Sequence, residues 1–260
     1  MIMIRHLPGN SAIFAILLTL LIPLQCLRAI PIEFEFGVNL IENPNAEDGV
    51  GSDNGMQVDV PGWMQDDYFT VVEYGTVIPS GAFPDFDDPG PADRGKNFFA
   101  GGETYLPTSA YQIIDIPPAH IVEIDKGTVG YELSGYLGGY FTKPDQATLI
   151  VSFQDSSGGE ISSAKIGPVT QLNRFEFSGT WQTGLLLKET QDFVPVDTRQ
   201  IKVMLTMDKA DGGYNDGYAD NLSLVLVPLP STIILLGTGI LAMRRYQRIS
   251  RRTRHSPTKK

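Results

Sequence analysis

From Val38 to Val227 the chain is built of short runs with a period of two, separated by Gly, Pro, Asp and Asn. Tyr131, Leu133, Gly135 and Leu137 alternate with Glu132, Ser134 and Tyr136. Leu149, Val151 and Phe153 alternate with Thr148 and Ser152, Ile150 being the exception. Ile201, Val203, Leu205 and Met207 alternate with Lys202, Met204 and Thr206. Asp220, Leu222, Leu224 and Leu226 alternate with Asn221, Ser223 and Val225. Successive side chains of a strand point to opposite faces, so these runs predict half-buried strands, and they place Asp220 on the leucine face of the last one. Ser156-Ser157-Gly158-Gly159 predicts a hairpin. No span sustains a helical period, and Pro118 to Lys126 is the best short candidate, one or two turns long. Many strands without crossover helices predict an antiparallel β-sandwich or barrel.

The two ends have a different character. Arg5 precedes an apolar run from Ala12 to Leu24, and the small Ala29 follows. This predicts a secretory signal peptide over residues 1–29. Its removal takes away Cys26, the single cysteine, and leaves no disulfide, thiol nucleophile or cysteine metal site. At the other end Val227-Pro228-Leu229-Pro230-Ser231 precedes the apolar run Ile233 to Met243, then Arg244 and Arg245 open a basic tail. Those 11 apolar residues predict a short transmembrane helix starting after Pro230, with Arg244 and Arg245 at the cytoplasmic face. The sandwich domain then spans 30–226 and the C-terminal segment 227–260.

The Val-Pro-Leu-Pro-Ser motif, apolar run and arginine pair resemble the PEP-CTERM sorting signal of envelope proteins, in the variant with leucine between the prolines. The resemblance implies recognition by an exosortase, a membrane peptidase. It also implies inner-membrane anchoring before processing, then delivery to the outer surface or the extracellular matrix. Charge agrees with an exported surface. The tail holds 8 basic residues and the first 29 residues hold two, which leaves 10 Lys and Arg against all 30 Asp and Glu. A domain that acidic repels nucleic acid.

The opening Asn39-Leu40-Ile41-Glu42-Asn43 with Glu47, then Pro61-Gly62-Trp63, and the closing Asp220-Asn221-Leu222-Ser223-Leu224 are similar to the galactose-binding-like β-sandwich of carbohydrate-binding modules. That family implies neighbouring first and last strands. It also implies a structural Ca²⁺ beside them, with Glu47 and Asp220 as ligands. Hard oxygens suit Ca²⁺.

Catalytic signatures are sparse. His6 and His255 lie in the ends, leaving His120, read as a surface-turn residue without a nucleophile elbow. Glu123-Ile124-Asp125 begins the E-x-D-x-x-E pattern of jelly-roll glucanases, but Thr128 stands where the second glutamate belongs. Two Asp-rich loops, Ser80 to Lys96 and Asp208 to Asp220, lack EF-hand order. Sugar binding needs aromatic platforms beside polar groups. Tyr68, Tyr74, Tyr136, Tyr140, Phe141, Tyr214, Tyr218 and Trp181 are candidates, with Tyr136, Tyr140, Tyr214 and Tyr218 preferred; Gly138 and Gly139 leave space beside two of these rings. Trp63 and Tyr131 read as core.

The expectation is an all-β, jelly-roll, galactose-binding-like antiparallel sandwich between a signal peptide and a C-terminal transmembrane helix. The protein is expected to bind or organise extracellular polysaccharide without catalysis. The alternatives are a carboxylate-dependent polysaccharide-degrading enzyme and a purely structural surface protein. Exosortase processing predicts an exported protein whose intact mass ends near Pro230; a mass that includes Lys260 in the membrane fraction refutes it.

Overall fold

The computed structural model describes residues 34–78 and 81–228. The signal peptide 1–29 and Leu229, Pro230, Ser231, Arg244 and Arg245 of the sorting signal lie outside the described residues. Among the described residues no helix is long and apolar enough to cross a membrane.

The chain runs β1 (Met64–Gln65), β2 (Thr70–Glu73), β3 (Val77–Ile78), β4 (Gly81–Ala82), β5 (Asn97–Gly102) and β6 (Thr108–Asp115). Then come α1 (Pro118–Asp125), β7 (Val129–Gly139), β8 (Gln146–Gln154), β9 (Glu160–Ile166) and α2 (Gln171–Ser178). It closes with β10 (Gly184–Phe193), β11 (Gln200–Asp208) and β12 (Asn215–Pro228). Two five-stranded antiparallel sheets form, ordered β1-β6-β11-β8-β9 and β10-β7-β12-β5-β2. The fold is therefore the expected all-β two-sheet sandwich. Each predicted alternating run became a strand, and the β8–β9 hairpin closes at the Ser156–Gly159 turn.

The main core lies between the sheets. Leu133 and Leu137 from β7 and Leu222, Leu224 and Leu226 from β12 meet Leu149, Val151 and Phe153 from β8 and Ile201, Val203 and Leu205 from β11. Each such side chain, fully buried, contributes about 1.5–3 kcal/mol. Trp63 and Tyr131 belong to this core, as read from the sequence.

In β12 the alternation does not run through. The register against β7 shifts between Asp220 and Ser223, and Asn221 takes a φ of 47°. This β-bulge inserts one residue and changes the phase. Ala219 faces the main core before it, and Leu222, Leu224 and Leu226 face it after. Tyr218 turns to the other face of the sheet, where Asp220 meets Tyr74. The sequence expectation that Asp220 shares the leucine face is thus corrected.

The first and last segments do lie together. Beyond the bulge, Asn39 reaches β12 with both ends of its amide: Nδ2 donates to the Leu222 carbonyl at 2.9 Å and Oδ1 accepts from the Leu224 N–H at 3.0 Å. Leu40 N–H donates to the Leu224 carbonyl and Leu222 N–H to the Pro44 carbonyl. Val227 and Pro228, the first two residues of the expected sorting motif, finish β12 opposite Gly130 and Val129.

Two local expectations change. Pro117 to His120 is not a surface turn: it enters α1, and the His120 ring packs on Phe34 and Phe36 at 5.0 and 4.8 Å. Helix α2 was not expected. Thr170 and Asn173 form a reciprocal capping box, and Gly179 ends the helix in the left-handed region at φ 75°.

Candidate functional site

A second apolar cluster covers the outer face of the β10-β7-β12-β5-β2 sheet. It holds Val72, Tyr74, Phe83, Phe98, Ala100, Leu185 and Tyr218, with Tyr136, Tyr140 and Tyr214 packed against it. The acidic loop ahead of β5 lies over this cluster and is tied by Arg94. The guanidinium donates to the carbonyls of Pro91, Asp85 and Asp88 at 2.8–2.9 Å and sits over the Tyr74 ring at 5.2 Å.

Beside this cluster opens a cleft of about 1030 Å³. Its walls come from Asn54–Met56, Tyr68, Val77, Ile78, Phe83, the loop Glu103–Leu106, Tyr140, Lys143, the loop Gly212–Tyr214, Asp216 and Tyr218. Tyr140, Tyr214 and Tyr218 all line it. Tyr136 does not line the cleft; it packs into the second cluster. Tyr74, Phe141 and Trp181 also lie away from it.

The inner rings are held rigidly. Tyr214 and Phe83 meet edge to face at 5.1 Å, and Tyr218 and Phe98 at 5.2 Å. Tyr214 donates its hydroxyl to the Gly55 carbonyl at 3.1 Å, and Tyr218 donates to Asp216 Oδ1 at 2.7 Å. The outer rings are free. Tyr105 is 80% exposed and Tyr68 48%. Tyr68 takes a φ of 84°, an uncommon conformation for an aromatic residue, and Gly102 has no room for a side chain because the Tyr68 carbonyl lies against it. Tyr105 was not singled out from the sequence. The available signal was an aromatic residue just after Gly101-Gly102, at a strand end.

Three buried polar groups set the cleft loops. Arg174, 1% exposed, donates to the carbonyls of Tyr140, Phe141 and Lys143 from Nη2, and to those of Val169 and Gln182. Burial lowers its pKa to about 10, so it stays charged at neutral pH. Asp145 accepts from Lys209 Nζ at 2.8 Å and from the backbone N–H of Ala210, Asp211 and Asp216. Lys209 also donates to the Asp211 carbonyl. Asn215 donates to the Leu106 and Met207 carbonyls, joining the Tyr105 loop to the start of β12. The loop expected over Asp208–Asp220 is shorter, residues 209–214, because β12 already begins at Asn215, and it is organised around the internal Lys209–Asp145 pair.

The charged groups of the cleft are Glu103, Asp216 and Lys143. Lys143 Nζ pairs with Asp211 at 3.2 Å. Burial, with the nearby Asp145 charge, pushes the Asp216 carboxyl up to about 6.

Glu47 and Asp220, expected from the family resemblance as metal ligands, lie near each other. Glu47 Oε1 accepts the N–H groups of Lys96 and Asn97, both at 2.8 Å. Asp220 is fully buried, accepts from Tyr74 Oη at 2.7 Å and from Asn221 N–H, and burial, joined by the Glu47 charge, raises its pKa to about 7. The buried Asn97 Oδ1, next to Glu47's contacts, has no hydrogen-bond partner. All these donors are oxygens, which suit a hard divalent cation, although the Arg94 charge already acts on Asp220. Among the described residues no three metal-ligating side chains gather, so backbone carbonyls would have to complete any shell.

No protein-family model matches the sequence, and no characterised protein matches it. Solved structures do. A family 16 carbohydrate-binding module matches at 17% identity and a TM-score of 0.43, over 72% of this chain and 99% of that one. A cyclase from Fischerella sp. TAU matches at 12% identity and a TM-score of 0.49, over 74% and 98%. The enzymatically active domain of tailspike protein 4 of bacteriophage CBA120 matches at 13% and 0.43, over 73% of this chain but 22% of that one. The similarity is distant and lies in the β-sandwich, which binding modules and enzymes share.

Asp216 yields a pH prediction. Its folded pKa, about 6, lies above the unfolded value of 3.8, so between them the native state keeps a proton that the unfolded state releases. Stability is then highest below the unfolded value and falls as pH rises through that window. Asp216→Asn is expected to be more stable than wild type by roughly 1–3 kcal/mol at about pH 7.5, the gap narrowing by about pH 4. Urea unfolding at both pH values measures this, and an identical pH dependence in the two proteins contradicts it.

Proposed function

We propose that this chain is an exported cell-envelope or extracellular protein, routed by an exosortase, whose sandwich binds extracellular polysaccharide without cleaving it. The supporting observation is the cleft, where two exposed tyrosines, Tyr105 and Tyr68, stand over a rigid wall made by Tyr214, Tyr218 and Phe83. Sugar rings present C–H faces to aromatic planes and hydroxyls to polar rims, and a mostly apolar cleft with a few polar groups offers both. The hydrolytic alternative rests on Asp216, whose carboxyl is pushed up to about 6, with the exposed Glu103 lining the same cleft.

A glycan array followed by calorimetry on the purified protein tests the binding. Tyr105→Ala and Tyr68→Ala are each expected to weaken binding about three- to tenfold with the melting temperature of Tyr105→Ala unchanged. A blank array overturns the binding reading. Reducing-sugar release that Asp216→Asn or Glu103→Gln abolishes makes the protein an enzyme.

We also propose Ca²⁺ between Glu47 and Asp220, where it would neutralise the buried carboxylate and tie the opening segment to β12. Calorimetric titration of EDTA-stripped protein is expected to give heat and a raised melting temperature, both reduced in Glu47→Gln. No heat and no thermal shift remove the cation from the reading.

A further inference from the structure

The charged groups of the cleft are unevenly divided, two carboxylates, Glu103 and Asp216, against one ammonium, Lys143. The hydroxyl protons of Tyr214 and Tyr218 are already committed, to the Gly55 carbonyl and to Asp216. Lys143, the cleft's cation, is engaged by Asp211. Hydroxyl donors stand on Tyr68, Tyr105, Tyr140 and Thr104, and the charges left open are the exposed Glu103 carboxylate and the second oxygen of Asp216. Both carboxylates act on the same ring, for Asp216 and Glu103 each push the Tyr214 hydroxyl upward, after the larger effect of burial. Tyr214 thus lies near both carboxylates, and Tyr68, Tyr105, Tyr140 and Tyr218 line the cleft with it.

From this inventory we infer that the cleft selects a polysaccharide carrying free amines, such as a deacetylated hexosamine polymer, over neutral and uronic-acid polymers. The inference rests on the reading of the cleft as a polysaccharide site and adds the chemical class of ligand. An ammonium group brings three donors to the two carboxylates. Its charge is attracted by carboxylates that are partly withdrawn from water, and by the negative faces of tyrosine rings. A uronate brings a second anion to Glu103 and Asp216 and is repelled. An N-acetylated sugar loses the charge and keeps a single amide donor.

The test uses calorimetry on the full-length protein with three oligosaccharides of matched length: glucosamine, N-acetylglucosamine and galacturonate. The glucosamine oligomer is expected to bind at least about tenfold more tightly than its acetylated counterpart, and the uronate to show no binding. Glu103→Gln and Asp216→Asn are each expected to reduce the ratio of affinities for the amine and acetyl forms. Asp87→Asn removes one acidic charge outside the cleft and is expected to leave the preference intact. If Asp87→Asn reduces it equally, the preference is a general effect of an acidic surface and the inference falls. Equal affinity for the amine and acetyl forms, or tighter binding of the uronate, overturns the amine inference and keeps the polysaccharide site. Failure of all three oligomers, together with a blank glycan array, overturns both.

Discussion

The bulge in β12 is the constraint on which the other features depend. Strand β12 lies in the middle of its sheet, between β7 and β5, and its two halves serve two different interiors. After the bulge, Leu222, Leu224 and Leu226 close the core between the sheets. Before it, Tyr218 and Asp220 face the outer cluster. A regular strand could not place a tyrosine and an aspartate outside and the leucines inside in this order, because a shift of one residue exchanges the faces. The bulge also parts β12 from β5. Glu47 accepts the two N–H groups at the start of β5, and Asn39 binds β12 on the far side of the bulge. The opening segment is thus the repair of an interrupted ladder.

The few basic side chains of this acidic domain hold its loops from within. Arg94 binds the carbonyls of the acidic loop, Arg174 those of the turn carrying Tyr140 and Lys143, and Lys209 a carboxylate that collects three backbone N–H groups. Charge-assisted bonds of this kind are directional and survive burial when every partner is present. They fix the cleft walls where no regular secondary structure does. The aromatic rings add little flexibility, since the inner ones pack edge to face and have their hydroxyls engaged.

Legibility followed the physical range of each interaction. Strands β7, β8, β11 and β12 could be read because half-burial imposes a period of two on neighbouring residues. Helix α2 could not. Its apolar residues Leu172, Phe175 and Phe177 face solvent and its one buried residue is Arg174, so it has no apolar stripe to read. Tyr140, Tyr214 and Tyr218 were chosen for lying among glycines and acidic residues, and they meet at the cleft. Tyr136 shared that setting but points under the covering loop. Tyr105 went unnoticed because its partners, around Gly213 and Asn215, are more than a hundred residues away.

By itself the sequence determined an antiparallel all-β fold and its principal strands. These follow from alternation and turn chemistry, which act between adjacent residues. The tertiary structure alone decided which face Asp220 takes, which tyrosines share a cleft and which basic residues fasten its walls. Those depend on a one-residue slip in β12 and on hydrogen bonds between distant segments, and neither leaves a period in the sequence.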